Sequence, residues 1–98
     1  MSPARLVVIV AESALRTRLI EDIKRLGASG YTETDSRGEG SRGQRTTEWE
    51  GQNVRIEALV APDTAEKIAA RVQETYLPHY AIVMWIQDVE VLRAEKYV

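Results

Sequence analysis

The run Arg37-Gly38-Glu39-Gly40-Ser41-Arg42-Gly43-Gln44-Arg45 holds three arginines and three glycines and no aliphatic side chain. No hydrophobic gain explains such a run, so its chemistry must lie in what its donors can hold. Glycine lets backbone N–H groups approach an anion closely and takes up left-handed conformations that other residues avoid. Arginine presents a planar fork of donors that matches a phosphate or a carboxylate. Arg42 and Arg45 stand three apart in this glycine setting, so both guanidinium groups can converge on one anion. A second small cationic group, Arg93 with Lys96, follows an apolar segment near the end of the chain. The bland alternative is a solvent-exposed hairpin extension, because a long connection inside a compact domain is either functional or unstructured.

Other chemistries find little support. His79 is the only histidine, placed in a turn between Pro78 and Tyr80, where a lone imidazole ordinarily serves the surface. No serine stands in a nucleophile-elbow pattern that could use it. Cysteine is absent, which removes disulfides, thiolate metal sites and cysteine nucleophiles and fits a reducing compartment. The carboxylates fall on helix faces or alternate along strands, as a solvated face requires. The chain is therefore not expected to be an enzyme, and neither a prosthetic group nor a resident metal is expected. Trp85 lies in an apolar strand and reads as core or interface packing. Trp49, between Glu48 and Glu50, is either an anchor for a partner protein or folds back on its own subunit.

These residues must be carried by regular elements. Leu6–Val10 is a β-branched apolar run that reads as a strand buried on both faces. From Ser13 to Leu26 the stripe Leu15, Leu19, Ile23, Leu26 predicts an amphipathic helix with Ser13 as N-cap and Gly27 as stop. Tyr31–Ser36 and Val54–Val60 read as strands on either side of a loop over about 38–53. Pro62 and Asp63 open a second helix, with Asp63 and Glu66 spaced as a capping box and Ala65, Ile68, Ala69, Val72 and Tyr76 as its apolar stripe. Leu77-Pro78-His79 ends it. Ala81–Ile86 is another apolar strand, and Val89–Leu92 a short final one.

The order is that of an α+β, ferredoxin-like βαββαβ domain spanning residues 1–98, with a short extra C-terminal strand. Both helices would cover one sheet face. The first and last core strands are apolar throughout, so the other face needs a cover, which a closed ring of identical subunits would supply. Hydrophobic residues make up 44% and charged residues 29% of the chain, an ordinary globular balance. A net charge of -2 argues against nucleic acid as the main partner, and an RNA-binding domain of the same strand order is disfavoured by the absence of phenylalanine. The apolar run after Arg5 is too short for a signal segment or a membrane span, so a cytoplasmic protein without membrane insertion is expected.

Gly30-Tyr31-Thr32, Gly38-Glu39-Gly40, Val54-Arg55-Ile56-Glu57 and Asp88-Val89-Glu90, in this order of elements, resemble the PII signalling family. More narrowly, Gly38-Glu39-Gly40-Ser41-Arg42-Gly43-Gln44-Arg45 resembles the Gly-x-Gly-Ser-Arg-x-x-Arg run of PII-like proteins linked to bicarbonate uptake and carboxysomes, the SbtB type. The resemblance implies a homotrimeric signal-transduction regulator with adenine nucleotides in the three clefts between neighbours. Its long T-loop changes order with the ligand and docks on a transporter, channel or enzyme, here of inorganic-carbon metabolism. By position, Arg42 and Arg45 would hold phosphate, Gly38, Gly40 and Ser41 would lend loop backbone, Thr32 and Glu57 would sit near adenine and ribose, and Arg93 would reach in from the C-terminal side. Thr46, Thr47 and Trp49 would meet the partner, recruiting the protein to a membrane where that partner is a bicarbonate transporter. Relatives carry a Thr-Gly-x-x-Gly-Asp-Gly-Lys turn that cradles ATP phosphates. Here Tyr76-Leu77-Pro78-His79-Tyr80 stands in its place, without glycine or lysine, so AMP, ADP or cyclic AMP is expected over ATP. Bicarbonate is a further ligand the resemblance raises. The rival is a ferredoxin-like trimer that senses a metal or small molecule through His79 and nearby carboxylates; another is a purely structural oligomerisation module.

Overall fold

The structure, a computed structural model, describes residues 2–37 and 52–93. Four strands, β1 (Ser2–Glu12), β2 (Thr32–Arg37), β3 (Gln52–Val60) and β4 (Ile82–Val91), form one antiparallel sheet in the order β2-β3-β1-β4. Two helices, α1 (Arg16–Arg25) and α2 (Pro62–Arg71), follow β1 and β3. Each strand–helix–strand unit returns its second strand antiparallel to a neighbour of the first, which is the ferredoxin-like plan the element order predicts.

Alternation along the strands decides which residues meet the helices. Val7, Ile9 and Ala11 of β1 and Val54, Ile56, Ala58 and Val60 of β3 pack against Leu15, Leu19 and Ile23 from the first helical segment. Ala65, Ile68, Val72 and Tyr76 close the core from the second. The helical stripes read from the sequence are the buried ones, except that Leu26 and Ala69 are only half-buried. Opposite, β1 offers Leu6, Val8 and Val10, flanked in register by Leu59, Glu57 and Arg55 of β3 and by Gln87, Trp85 and Val83 of β4.

The helix ends separate what side chains can do from what backbone does. Gly27 has φ +126, and Ala28 N–H bonds Ile23 O at 2.9 Å while Gly27 N–H bonds Lys24 O at 3.2 Å, so the expected glycine stop is a Schellman closure. Ser13 is not an N-cap. A 3₁₀ turn over Ser13–Leu15 leads from β1 into α1, and Ser13 contributes its carbonyl, which accepts the Arg16 N–H. The Asp63–Glu66 capping box is absent too. Pro62 takes the first helical position and extended Ala61 precedes it, so the Asp63 carboxylate accepts only the neighbouring Thr64 N–H at 3.0 Å. The chain then widens into a π turn over Val72–Tyr76. The separate last strand is also corrected: Gln87 and Asp88 stay paired to Leu6 and Arg5, and Val89–Val91 is the far end of β4. The Arg5–Asp88 ion pair at 3.0 Å bridges the expected break.

Candidate functional site

Strand register fixes two ends of the sheet. At one end Arg37 faces Gln52, Asn53 faces Glu12 and Ile82 faces Ala11. The segment 38–51, the β1–α1 turn and the α2–β4 connection all leave the sheet there. At the other end Thr32 faces Glu57, and β1 begins opposite the end of β4.

Thr32 and Glu57 are brought together as a directly paired couple on the face away from the helices. With Leu6, Gly30, Tyr31, Ala58 and Leu59 they line an open concavity of about 380 Å³. Tyr31 stands 40% exposed at its rim. Glu57 accepts from Arg55 at 3.3 Å, and the Arg55 guanidinium lies 5.2 Å from the Trp85 ring centroid. Trp85, expected in core or interface packing, is 37% exposed on this open face, and its indole N–H donates to Gln87 Oε1 at 3.0 Å. The concavity is open to solvent and has both polar and aliphatic residues in its lining.

The other expected site residues lie elsewhere. Gly38, Gly40, Ser41, Arg42, Arg45, Thr46, Thr47 and Trp49 fall outside the described residues. The strand that leads to them runs from Thr32 to Arg37, so Arg37 lies roughly 17 Å from Thr32 along it. Arg93 is exposed in the turn after β4, the edge strand opposite β2. One protomer thus joins Thr32 to Glu57 but separates both from Arg93.

Two features escaped the sequence reading. The first is a buried carboxylate, Asp22, 5% exposed between the helical segments. Its Oδ1 accepts from Arg25 at 2.9 Å, and its Oδ2 from Arg71 Nε at 3.0 Å and the Tyr76 hydroxyl at 2.5 Å. Burial pushes the Asp22 carboxyl up, but the Tyr76 hydrogen bond and the Arg71 hydrogen bond and charge outweigh it and hold it below its ordinary value of 3.8. Burial and the same anion push the Tyr76 phenol up. Arg18 flanks the cluster, 5.2 Å from the Tyr76 ring centroid and 3.3 Å from the Tyr80 hydroxyl. The signal was available: Asp22 interrupts the apolar stripe between Leu19 and Ile23. The second is Glu12, whose Oε2 accepts the Ala81 N–H at 3.0 Å and ties the α2–β4 connection to β1. Nothing local marks it, because the contact spans 69 positions.

Among the described residues no group of three or more His, Cys, Asp or Glu side chains could hold a metal ion, and no helix is long and apolar enough to cross a membrane.

The fold is a ferredoxin-like sheet with two helices on one face, an open concavity on the other, and a β2–β3 connection over 38–51. The chain belongs to the nitrogen regulatory protein P-II family, whose model matches residues 4–96. It is 56% identical to a PII-like signalling protein of Thermus thermophilus, with a TM-score of 0.87 over 99% of this chain and 97% of that one. Its fold also matches CPII, a nitrogen regulatory PII-like protein of Thiomonas intermedia solved with ADP, AMP and bicarbonate, at 22% identity and a TM-score of 0.84 over 97% and 93% of the two chains. A GlnK–ATP complex of Bacillus subtilis is more distant, at 20% identity and a TM-score of 0.62 over 90% and 84%. Proteins of this family act in signalling.

Proposed function

We propose that the chain is a homotrimeric nucleotide sensor that binds an adenine nucleotide in clefts between neighbouring subunits and reports it through the loop at about 38–53. The observation that carries this reading is the separation within one protomer. Thr32 and Glu57 form a concavity on β2 and β3, whereas the loop begins a full strand length away and Arg93 follows the opposite edge. A ligand reached by both this concavity and Arg93 needs two chains. In such a cleft Thr32 and Glu57 of one subunit face adenine and ribose, while Arg42 and Arg45 of its neighbour hold phosphate with Gly38, Gly40 and Ser41 backbone, and Arg93 approaches from the C-terminal side. Charge-assisted bonds from these arginines order the loop, a recognised switching mode.

AMP, ADP or cyclic AMP is favoured over ATP, because the Tyr76–Tyr80 stretch has neither glycine nor lysine to offer a third phosphate. Bicarbonate is a second ligand; CPII, of the same fold, was solved with ADP and bicarbonate. The downstream role is regulation of inorganic-carbon metabolism in the cytoplasm, with Thr46, Thr47 and Trp49 docking on a bicarbonate transporter or carboxysome-related protein. Calorimetric titration with AMP, ADP, cyclic AMP and ATP, each with and without bicarbonate, tests the reading: heat is expected with the first three, and silence from all four nucleotides ends it. Exchanging Arg42 and Arg45 for Ala together is expected to cost about 2–4 kcal/mol of nucleotide binding free energy, read from the same titration.

A further inference from the structure

Val8 is fully buried on the sheet face that no helix covers, apart from the core cluster beneath the helices. Register sets Glu57 of β3 and Trp85 of β4 directly beside it, with Arg55 next along β3 on the same face. The Arg55 guanidinium lies 5.2 Å from the centroid of the Trp85 ring. Since β1 runs between β3 and β4, that contact crosses β1, and the stacked pair roofs Val8. The same guanidinium donates from Nη2 to Glu57 Oε2 at 3.3 Å, and the Trp85 indole N–H donates to Gln87 Oε1 at 3.0 Å. Gln87, Trp85, Arg55 and Glu57 thus form one chain of contacts from the edge strand β4 to the lining of the concavity.

Glu57 is the one carboxylate among the residues that line that concavity. Its side chain is 32% exposed and has several rotatable bonds, so alone it would hold no fixed direction. A freely moving arginine would not steady it. A guanidinium laid on an indole does, because stacking removes most of its own freedom before it meets the carboxylate. An ionised carboxylate only accepts hydrogen bonds, so its ligand must bring a hydroxyl or amino hydrogen. On the nucleotide reading given above, which this inference rests on, that group is a ribose hydroxyl. We infer that Arg55, clamped on Trp85, is a positioning residue: it takes one oxygen of Glu57 and holds the other toward the concavity as acceptor for that hydroxyl. The chain makes the site selective for ribonucleotides. It also places part of that selectivity in Trp85, which belongs to another strand and lies outside the lining.

Calorimetry with AMP, 2′-deoxy-AMP and 3′-deoxy-AMP on the intact protein, with sedimentation to confirm unchanged assembly, reads how much affinity each missing hydroxyl costs. Wild type is expected to lose about tenfold or more with one of the two analogues, the worth of a hydrogen bond to a charged group. In Arg55→Met and in Trp85→Leu that loss is expected to shrink to about threefold or less, while Trp85→Phe, which keeps a ring against the guanidinium, restores most of it. A merely structural role would weaken AMP and both analogues alike. That result overturns the inference, as does a wild type that binds AMP and its analogues equally, and both leave the nucleotide reading intact. Discrimination lost in Arg55→Met but kept in Trp85→Leu strikes out the part given to Trp85. Silence from every nucleotide with wild type removes the nucleotide reading itself, and this inference with it. If Trp85→Leu fails to assemble, Arg55→Lys takes its place: it keeps the charge and loses the planar stack, so full discrimination there strikes out Trp85 as well.

Discussion

Asp22 is the residue on which the helix layer turns. A carboxylate taken out of water costs several kcal/mol unless its lone pairs are filled, and here three donors fill them. Removing the phenol in Tyr76→Phe deletes one charge-assisted bond and is expected to cost about 1.5–3 kcal/mol in chemical denaturation at pH 7. The pH dependence follows from the direction of the Asp22 shift. Its folded carboxyl lies below the ordinary value, so its contribution is complete above about pH 4 and is lost as pH falls further, through the folded value. The difference in stability between wild type and Asp22→Asn should therefore shrink as the solution is taken from pH 6 toward pH 2.5. A difference that stays constant over that range would show that folding leaves the Asp22 carboxyl at its ordinary value, and one that grows as pH falls would show that burial raises it. Among residues, legibility tracked locality. Apolar stripes announce themselves at spacings of three and four, so Leu19, Ile23, Ile68 and Val72 were readable as core. Asp22 needed Arg71 and Tyr76 from a helical segment about fifty positions on, and Glu12 needed Ala81, and no local pattern carries such pairings.

Elements were legible wherever one residue type alone determines the backbone. Gly27 ends the first helix because its φ of +126 is closed to side chains, and a Cβ there would meet Thr64 Oγ1 at 3.1 Å. Pro62 opens the second helix because its missing N–H is no loss at the first position. The capping roles given to Ser13 and Asp63 failed for the opposite reason: a polar side chain can bond several nearby groups, and the 3₁₀ turn and Pro62 decided which. The length of β4 was missed because Gln87 and Asp88 look like a break in an apolar run, yet an edge strand carries polar residues without ending. The glycines offer an internal comparison. Gly27→Ala is expected to lower stability by about 1–2 kcal/mol from backbone strain alone, and by more if Thr64 cannot yield. Gly30→Ala meets nothing within 4 Å and has no positive φ, so it should change stability by less than about 0.5 kcal/mol. Equal losses from the two would mean that the first helix does not end as described.

At the scale of the whole molecule the sheet is a half-finished sandwich. One face lies under the helices; on the other, Val83 is 51% exposed beside Trp85, with Leu6, Val10 and Leu59 half-buried around them. Full burial of an exposed aliphatic side chain is worth about 1.5–3 kcal/mol, so covering these half-exposed ones adds roughly 1 kcal/mol each, and a three-fold assembly collects that gain from every subunit. The apolar character of β1 and β4 was visible in the sequence and asked for a cover on this face; only the register shows that Arg55 and Glu57 sit among the apolar groups. Val83→Glu places a carboxylate on the edge strand of that face, beside Trp85 and opposite Val10. If identical subunits close over it, sedimentation should show the wild-type trimer replaced by monomer, because burying an unpaired carboxylate costs more than the interface gains at that position. Nucleotide binding should vanish in the same variant, although Val83 lies on β4, outside the Thr32–Glu57 concavity, because a cleft assembled from two chains does not outlive their separation. A Val83→Glu protein that is monomeric yet binds AMP with wild-type affinity would place the whole ligand site within one chain.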